Sequence, residues 1–121
     1  MSENSNVAVG PNEAHVAVAH GPLVGAVLGR VVGMLAARAQ CPIDKLDDAL
    51  LITDAVAAHA PRFSADDRVR VVVRTNDSAL EIIVGSLAKG GTEGLVADEV
   101  DARSAGDGAT ELVLRLRFNS V

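Results

Sequence analysis

The alternation of hydrophobic and polar positions predicts one strand and two helices in the first half of the chain. In the segment 15–20, valines fall on one side and alanines on the other, which is the period of a strand. Hydrophobic residues then recur at helical spacing over 22–40. Cys41 and Pro42 interrupt this pattern, and the spacing predicts a second helix over 44–60.

The second half of the chain predicts a sheet whose strands are separated by loops. Residues 68–74 alternate between valine and mostly arginine, 75–78 are typical of a turn, and 80–84 form the return strand of a hairpin. The remaining elements are predicted to be a glycine-rich loop (85–94), a short helix (95–100), a turn (102–108) and a closing strand (112–118).

This order of elements predicts an α/β fold. We expect a two-layer sandwich in which a mixed, mostly antiparallel sheet carries the helices on one face. At 121 residues the chain has room for a single domain, which we assign to 14–118. The polar stretch that begins MSENSN is predicted to be a flexible lead over 1–13.

Charge and composition narrow the range of partners. A formal net charge of −5 predicts no long-range attraction to nucleic acid or anionic lipid and favours basic partners. The apolar stretch 21–37 contains Arg30 near its middle, so it is predicted to be a buried helix and not a membrane span. The N-terminus lacks the pattern of a secretory signal and Cys41 is the only cysteine, so a cytoplasmic location is expected.

Few side chains outside the second helix have the spacing of a chemical site. His15 and His20 flank the first strand without a third ligand nearby, so no metal site is predicted. Gly25, Gly29 and Gly33 recur every four residues. This row predicts close packing of the helix on its sheet or, alternatively, contact with a partner or a second copy.

The charged residues of the second predicted helix and of the hairpin are interpreted as solvated or paired side chains. Asp47, Asp48 and Asp54 are predicted to be solvated. The arginines of 68–74 are expected to be solvated or paired across strands, with Glu81 pairing to one of them.

The element order and three segments resemble the anti-sigma regulatory factors. The segments are DALLITDAV at 48–56, EGLVADEV at 93–100 and GATELVLRL at 108–116. These factors are small bacterial serine-kinase-like proteins built on the histidine-kinase-like ATPase fold. Over residues 14–118 the resemblance implies that fold, a homodimer, and contact of the first helix and its surroundings with a sigma factor or an anti-sigma antagonist protein.

The motifs by which that family binds ATP and Mg²⁺ are mostly replaced in this chain. The family's second helix carries a Glu and, four residues later, an Asn; an ungapped count places Ala55 and His59 there, and a shift by one places Asp54 and Ala58. Neither register supplies both groups, and histidine is a poor ligand for Mg²⁺. The family's adenine-binding Asp has no equivalent in 84–88, although the glycines that follow resemble its glycine lid.

Three interpretations of function remain open. The first is a regulatory protein-binding domain that has lost ATP, has no cofactor, and sequesters a sigma factor or binds an antagonist protein. The second is an active ATP-dependent serine-protein kinase that uses ATP and magnesium in an altered site, and the third is a structural or oligomeric accessory domain. No catalytic residue is assigned. If a nucleotide binds, the residues predicted to hold it are Asp54, His59, Gly90, Gly91 and Gly94.

Overall fold

The two helices of this chain pack against one face of a six-stranded sheet. The computed structural model describes residues 5–64, 67–88, 90–106 and 108–118. In chain order these residues form β1 (Ser5–Val9), β2 (Glu13–Ala19), α1 (Leu23–Arg38), α2 (Ile43–His59), a 3-10 turn (Ala60–Arg62), β3 (Arg68–Thr75), β4 (Ala79–Leu87), β5 (Glu99–Gly106) and β6 (Ala109–Arg117). The strand order across the sheet is β1-β2-β3-β4-β6-β5.

The predicted α/β class and both predicted helices are confirmed. All neighbouring strands in the described part of the chain run antiparallel, so the sheet is not mixed. Hairpins join β1 to β2, β3 to β4 and β5 to β6, and the helical pair joins β2 to β3. The connection from β4 to β5 crosses β6, which lies between these two strands in the sheet.

The hydrophobic core lies between the helices and one face of the sheet. Val16, Val71, Val84 and Leu112 lie side by side across β2, β3, β4 and β6, and all four are buried. Leu28 is among the fully buried residues of α1 that belong to the same core. Since tryptophan and tyrosine are absent from the sequence, the core is built almost entirely from aliphatic side chains.

The N-terminal segment is the first of two regions where the sequence predictions are wrong. Instead of a flexible lead, Ser5–Val9 forms β1 and pairs with β2. The hairpin between the two strands is closed by the Gly10 amide, which donates a 2.7 Å hydrogen bond to the Glu13 carbonyl oxygen. Val7 and Val9 alternate with smaller or polar residues, but the polar residues that precede them obscure this pattern. The prediction for residues 1–4 lies outside the described residues.

The region after β4 is the second region where the sequence predictions are wrong. No helix forms over 95–100, and the predicted turn over 102–108 is replaced by β5, which begins at Glu99 and extends to Gly106. The glycine-rich loop also starts later than predicted, because β4 continues to Leu87. β5 is an edge strand whose side chains are mostly exposed. Burial therefore imposes no strong hydrophobic alternation on its sequence.

The sheet face opposite the helices carries a row of alternating charges. Glu13, Arg74, Glu81, Arg115 and Glu99 are neighbours in register across five strands. The Arg74 Nε to Glu13 Oε1 distance is 2.6 Å and the Arg115 Nη1 to Glu99 Oε1 distance is 2.7 Å. Glu81 was expected to pair with an arginine of β3, but it forms its ion pair with Arg115 of β6. These pairs make this row of the open face polar.

Glu13 at the end of this row predicts a measurable acid dependence of stability. Hydrogen bonds to His15 and then to Arg74 lower the pKa of the Glu13 carboxyl from its ordinary value of 4.5. A carboxyl whose pKa is lower in the folded state stabilises the fold above its unfolded pKa and loses this contribution as the pH falls through the folded pKa. We therefore expect the urea midpoint of the wild type to fall more steeply below pH 4.5 than that of Glu13→Gln.

The measurement is urea unfolding of both proteins at neutral pH and at several acidic values. Glu93→Gln, which removes an exposed loop carboxyl, is the matched control. Equal acid slopes for the wild type and Glu13→Gln would contradict the assignment.

Candidate functional site

The C-terminal end of α2 and the glycine loop form the first candidate site. His59 is the last residue of α2, and its Nε2 donates a hydrogen bond of 2.7 Å to the carbonyl oxygen of Gly91. Because a carbonyl oxygen can only accept, the geometry places the imidazole proton on Nε2. This hydrogen bond therefore joins the loop to the end of α2, although His59 and Gly91 are 32 residues apart in the sequence.

Phe63 fills the space beneath this loop. The Ala88 amide donates a 2.7 Å hydrogen bond to the Phe63 carbonyl oxygen, and the His59 and Phe63 ring centroids are 4.8 Å apart. At Gly91 an added Cβ would lie 2.7 Å from the Phe63 Cβ and 3.0 Å from the Ala88 carbonyl oxygen. The loop thus lies directly on Phe63, and the close approach requires glycine at position 91.

Four of the five residues predicted to hold a nucleotide lie in this cluster. His59 contacts Gly91, Gly90 packs near the Phe63 ring, and a Cβ at Gly94 would lie 4.0 Å from the His59 ring. The fifth, Asp54, is exposed on α2 and precedes His59 by about 140° of helical rotation. The fold thus brings four of the predicted residues together, and their contacts in this structure are with one another and with Phe63.

The other positions of the expected nucleotide motifs lie on α2 and β4. Ala55 and Ala58 are exposed on α2, and Asp47 and Asp48 are exposed as predicted. At the adenine-motif position, Ser86 lies in a β-bulge of β4 with a φ of 48°, a left-handed conformation that is uncommon for serine.

A second candidate site, an apolar groove between β1 and α1, was not predicted from the sequence. Its volume is about 440 Å³. Its exposed large hydrophobic side chains are Val7, Val9 and Leu23, with exposed fractions of 44%, 46% and 46%. The residues that line the groove are Val7, Val9, Leu23, Ala26, Val27, Arg30, Val31 and Met34. The signal in the sequence was the alternation of Val7 and Val9 within the segment assigned to a flexible lead.

The β1–β2 hairpin is held to α1 by a specific contact. Arg38 Nη1, in the last turn of α1, donates a 3.2 Å hydrogen bond to the Gly10 carbonyl oxygen. The glycine row of α1 contributes less than expected: a Cβ at Gly25 would lie 3.6 Å from Ala57 of α2, whereas at Gly29 and Gly33 it would meet open space. The glycine row therefore does not pack closely on the sheet as predicted: Gly25 faces α2, at a distance that would allow a Cβ ordinary contact with Ala57.

The remaining candidate residues have local roles. His15 Nε2 lies 2.7 Å from Glu13 Oε2. Burial raises the pKa of the Cys41 thiol and Asp44 raises it further, which makes the thiol a weak nucleophile at neutral pH. Over the described ranges, no three His, Cys, Asp or Glu side chains come together as a metal site would require. α1 and α2, with 16 and 17 residues, are both too short to cross a bilayer.

Comparison with known proteins does not assign this chain to a family. No protein-family model matches this chain, and no curated protein matches it. The resemblance to anti-sigma factors therefore stays a prediction.

The surroundings of Gly91 and Gly29 predict opposite effects on stability when each glycine is replaced by alanine. Gly91→Ala forces the loop or Phe63 to shift, so we expect a loss of roughly 1–3 kcal/mol in the free energy of unfolding. Gly29→Ala meets no atom within 4 Å inside a helix and should increase stability by about 0.5–1 kcal/mol. Urea unfolding measures both effects. A neutral Gly91→Ala would show that the loop does not lie on Phe63.

Proposed function

We propose that this chain is a regulatory protein-binding domain of the anti-sigma-factor type that has lost ATP binding. In this proposal it has the histidine-kinase-like ATPase fold, is located in the cytoplasm, and sequesters a sigma factor or binds an antagonist protein. The succession of two helices between β2 and β3, both on one sheet face, supports the fold part of the proposal. The observation that carries the functional part is the apolar groove beside α1.

The groove supports protein binding because exposed apolar surface rarely persists without a use. Contiguous apolar patches on soluble proteins commonly mark sites of interaction with other proteins. Leu23 and Val27 of α1 and the valines of β1 form such a patch, and the charged row on the opposite sheet face offers no comparable one. In the resembled family, the first helix is also the element that contacts partners.

The packing around His59 supports the loss of nucleotide binding. The glycine loop, whose backbone would have to face a phosphate, is bound by His59 and lies on Phe63. Asp54, which one register places at the family's Glu position, is exposed and is separated from His59 by about 140° of rotation around α2. A nucleotide would have to displace contacts that stabilise the domain.

We expect no binding of Mg-ATP or Mg-ADP by calorimetric titration. A ligand far above its dissociation constant stabilises the fold that it binds, so the melting temperature should also not rise at millimolar nucleotide. Saturable binding at micromolar nucleotide that His59→Ala abolishes and His20→Ala leaves intact would contradict the proposal. The active kinase would then be the better interpretation.

We expect one sigma factor or antagonist protein to bind the domain through the groove. The test mixes the purified chain pairwise with purified sigma factors and antagonist proteins from its own organism and follows complex formation by size-exclusion chromatography. Leu23→Asp replaces an apolar side chain of the groove with a charge and should abolish the complex, since burying a carboxylate against apolar side chains is costly. Leu51→Asp, at a position 66% exposed on α2, is the matched control and should leave the complex intact.

The outcomes of this experiment separate the remaining interpretations. A complex that survives Leu23→Asp would place the binding surface elsewhere. If no protein of the panel binds, the accessory-domain interpretation replaces the proposal.

A further inference from the structure

The two edges of the sheet are protected very differently. Edge strands expose backbone hydrogen-bonding groups, and natural proteins usually protect them with charged residues or proline. β5, at one edge, carries Glu99, Asp101 and Arg103. β1, at the other edge, has the sequence SNVAV, with no charge and no proline. Among the described strands β1 is therefore the edge that is open to an additional strand.

The groove continues this open edge on the helix side. Val7 and Val9 are opposite Val16 and Ala14 in register, and those two residues are buried on the helix-facing side of the sheet. A strand added outside β1 would direct every second side chain to this same side. Those side chains would enter the groove, whose far wall is formed by Leu23 and other residues of α1.

Arg30 supplies the charge of this surface. It lines the groove, is exposed, and forms no hydrogen bond or ion pair with any described residue. α1 and β1 contain no acidic residue, and the other arginine of α1, Arg38, donates to Gly10. In a chain with a net charge of −5, this surface is locally basic. Charge complementarity therefore favours an acidic group on the occupant.

We propose that the β1 edge and its groove bind an extended acidic segment of a partner protein. The segment adds to the sheet beside β1, places alternate apolar side chains in the groove, and pairs a carboxylate with Arg30. Main-chain hydrogen bonds supply affinity in this mode and the side-chain pockets supply specificity. This inference rests on the proposed protein-binding function and specifies how the partner is recognised.

A second copy of the chain fits the same surface less well. Val7 is the central residue of β1, and Arg30 is near the middle of α1. A two-fold axis that pairs β1 with β1 at Val7 would bring the two copies of Arg30 to the same side of the joined sheet, close to the axis. Like charges would then repel across the interface, whereas an acidic segment neutralises Arg30.

The test uses a phage-displayed library of random peptides, each about twelve residues long. Peptides that bind the full chain are selected from this library. We expect the selected peptides to alternate apolar residues and to contain Asp or Glu. Val7→Lys and Arg30→Glu should each weaken peptide binding at least about tenfold by fluorescence anisotropy. The matched controls are Val100→Lys, on the β5 edge with an exposed fraction of 40%, and Lys45→Glu, on α2, and both should bind like the wild type.

A charge exchange keeps the test decisive even if one variant folds poorly. Replacing the acidic residue of a selected peptide with lysine should weaken its binding to the wild type and restore its binding to Arg30→Glu. Peptides that bind Val7→Lys and Arg30→Glu as well as the wild type would overturn the proposal. So would a wild-type dimer that Val7→Lys converts to a monomer, because the edge would then belong to a second copy.

The failure of this inference and that of the proposed function are distinguishable. A sigma factor or antagonist that loses binding with Leu23→Asp but not with Val7→Lys or Arg30→Glu would refute the added strand and leave the proposed function standing. Peptide binding that follows the expected pattern, with no binding by the protein panel, would support the extended segment and refute the proposed function.

Discussion

The structure depends on the limited width of the layer that covers its sheet. Two helices of 16 and 17 residues must bury one face of six strands. α1 lies against β2 and β3, and α2 packs against α1 and β6. The inner strands therefore form the core, while β1 and β5 extend past the helices with exposed valines on their helix-facing sides. The opposite face carries no helix in the described part of the chain, and arginine and glutamate side chains pair across its strands in register.

The same limit explains which elements the sequence could predict. β2, β3, β4 and β6 each have one face that is buried under the helices, so hydrophobic residues recur at alternate positions in their sequences. The helices are equally clear, since their apolar residues must meet that buried face and prolines lie at their boundaries. β1 and β5 lack full burial on either face, so little selects for a pattern there. The flexible lead and the short helix were predicted at these two strands for that reason.

The candidate sites also differ in how far they could be predicted from the sequence. His59 and the glycines were identifiable from the sequence because their residue types and loop position are unusual, and the fold brings them together. Periodicity alone did not exclude Asp54, since its orientation on α2 becomes clear only when the buried side of that helix is known. The groove was not predicted, although Val7 and Val9 alternate in the sequence. It consists of ordinary apolar residues from two segments, and only the pairing of β1 with β2 places them beside each other.

The loop cluster and the groove differ in what binding would require. A phosphate at the glycine loop would have to replace the His59 hydrogen bond and separate the loop from Phe63, so its binding free energy would be reduced by lost folding contacts. At the groove, Val27 and Val31 already pack against or within the core, and Arg38 fixes the β1–β2 hairpin on α1. The surface is therefore ordered before a partner arrives, and the ordering cost falls mainly on the partner's segment. A protein ligand at this edge extends the core outward without disturbing it, which is why the β1 side is the better place for recognition.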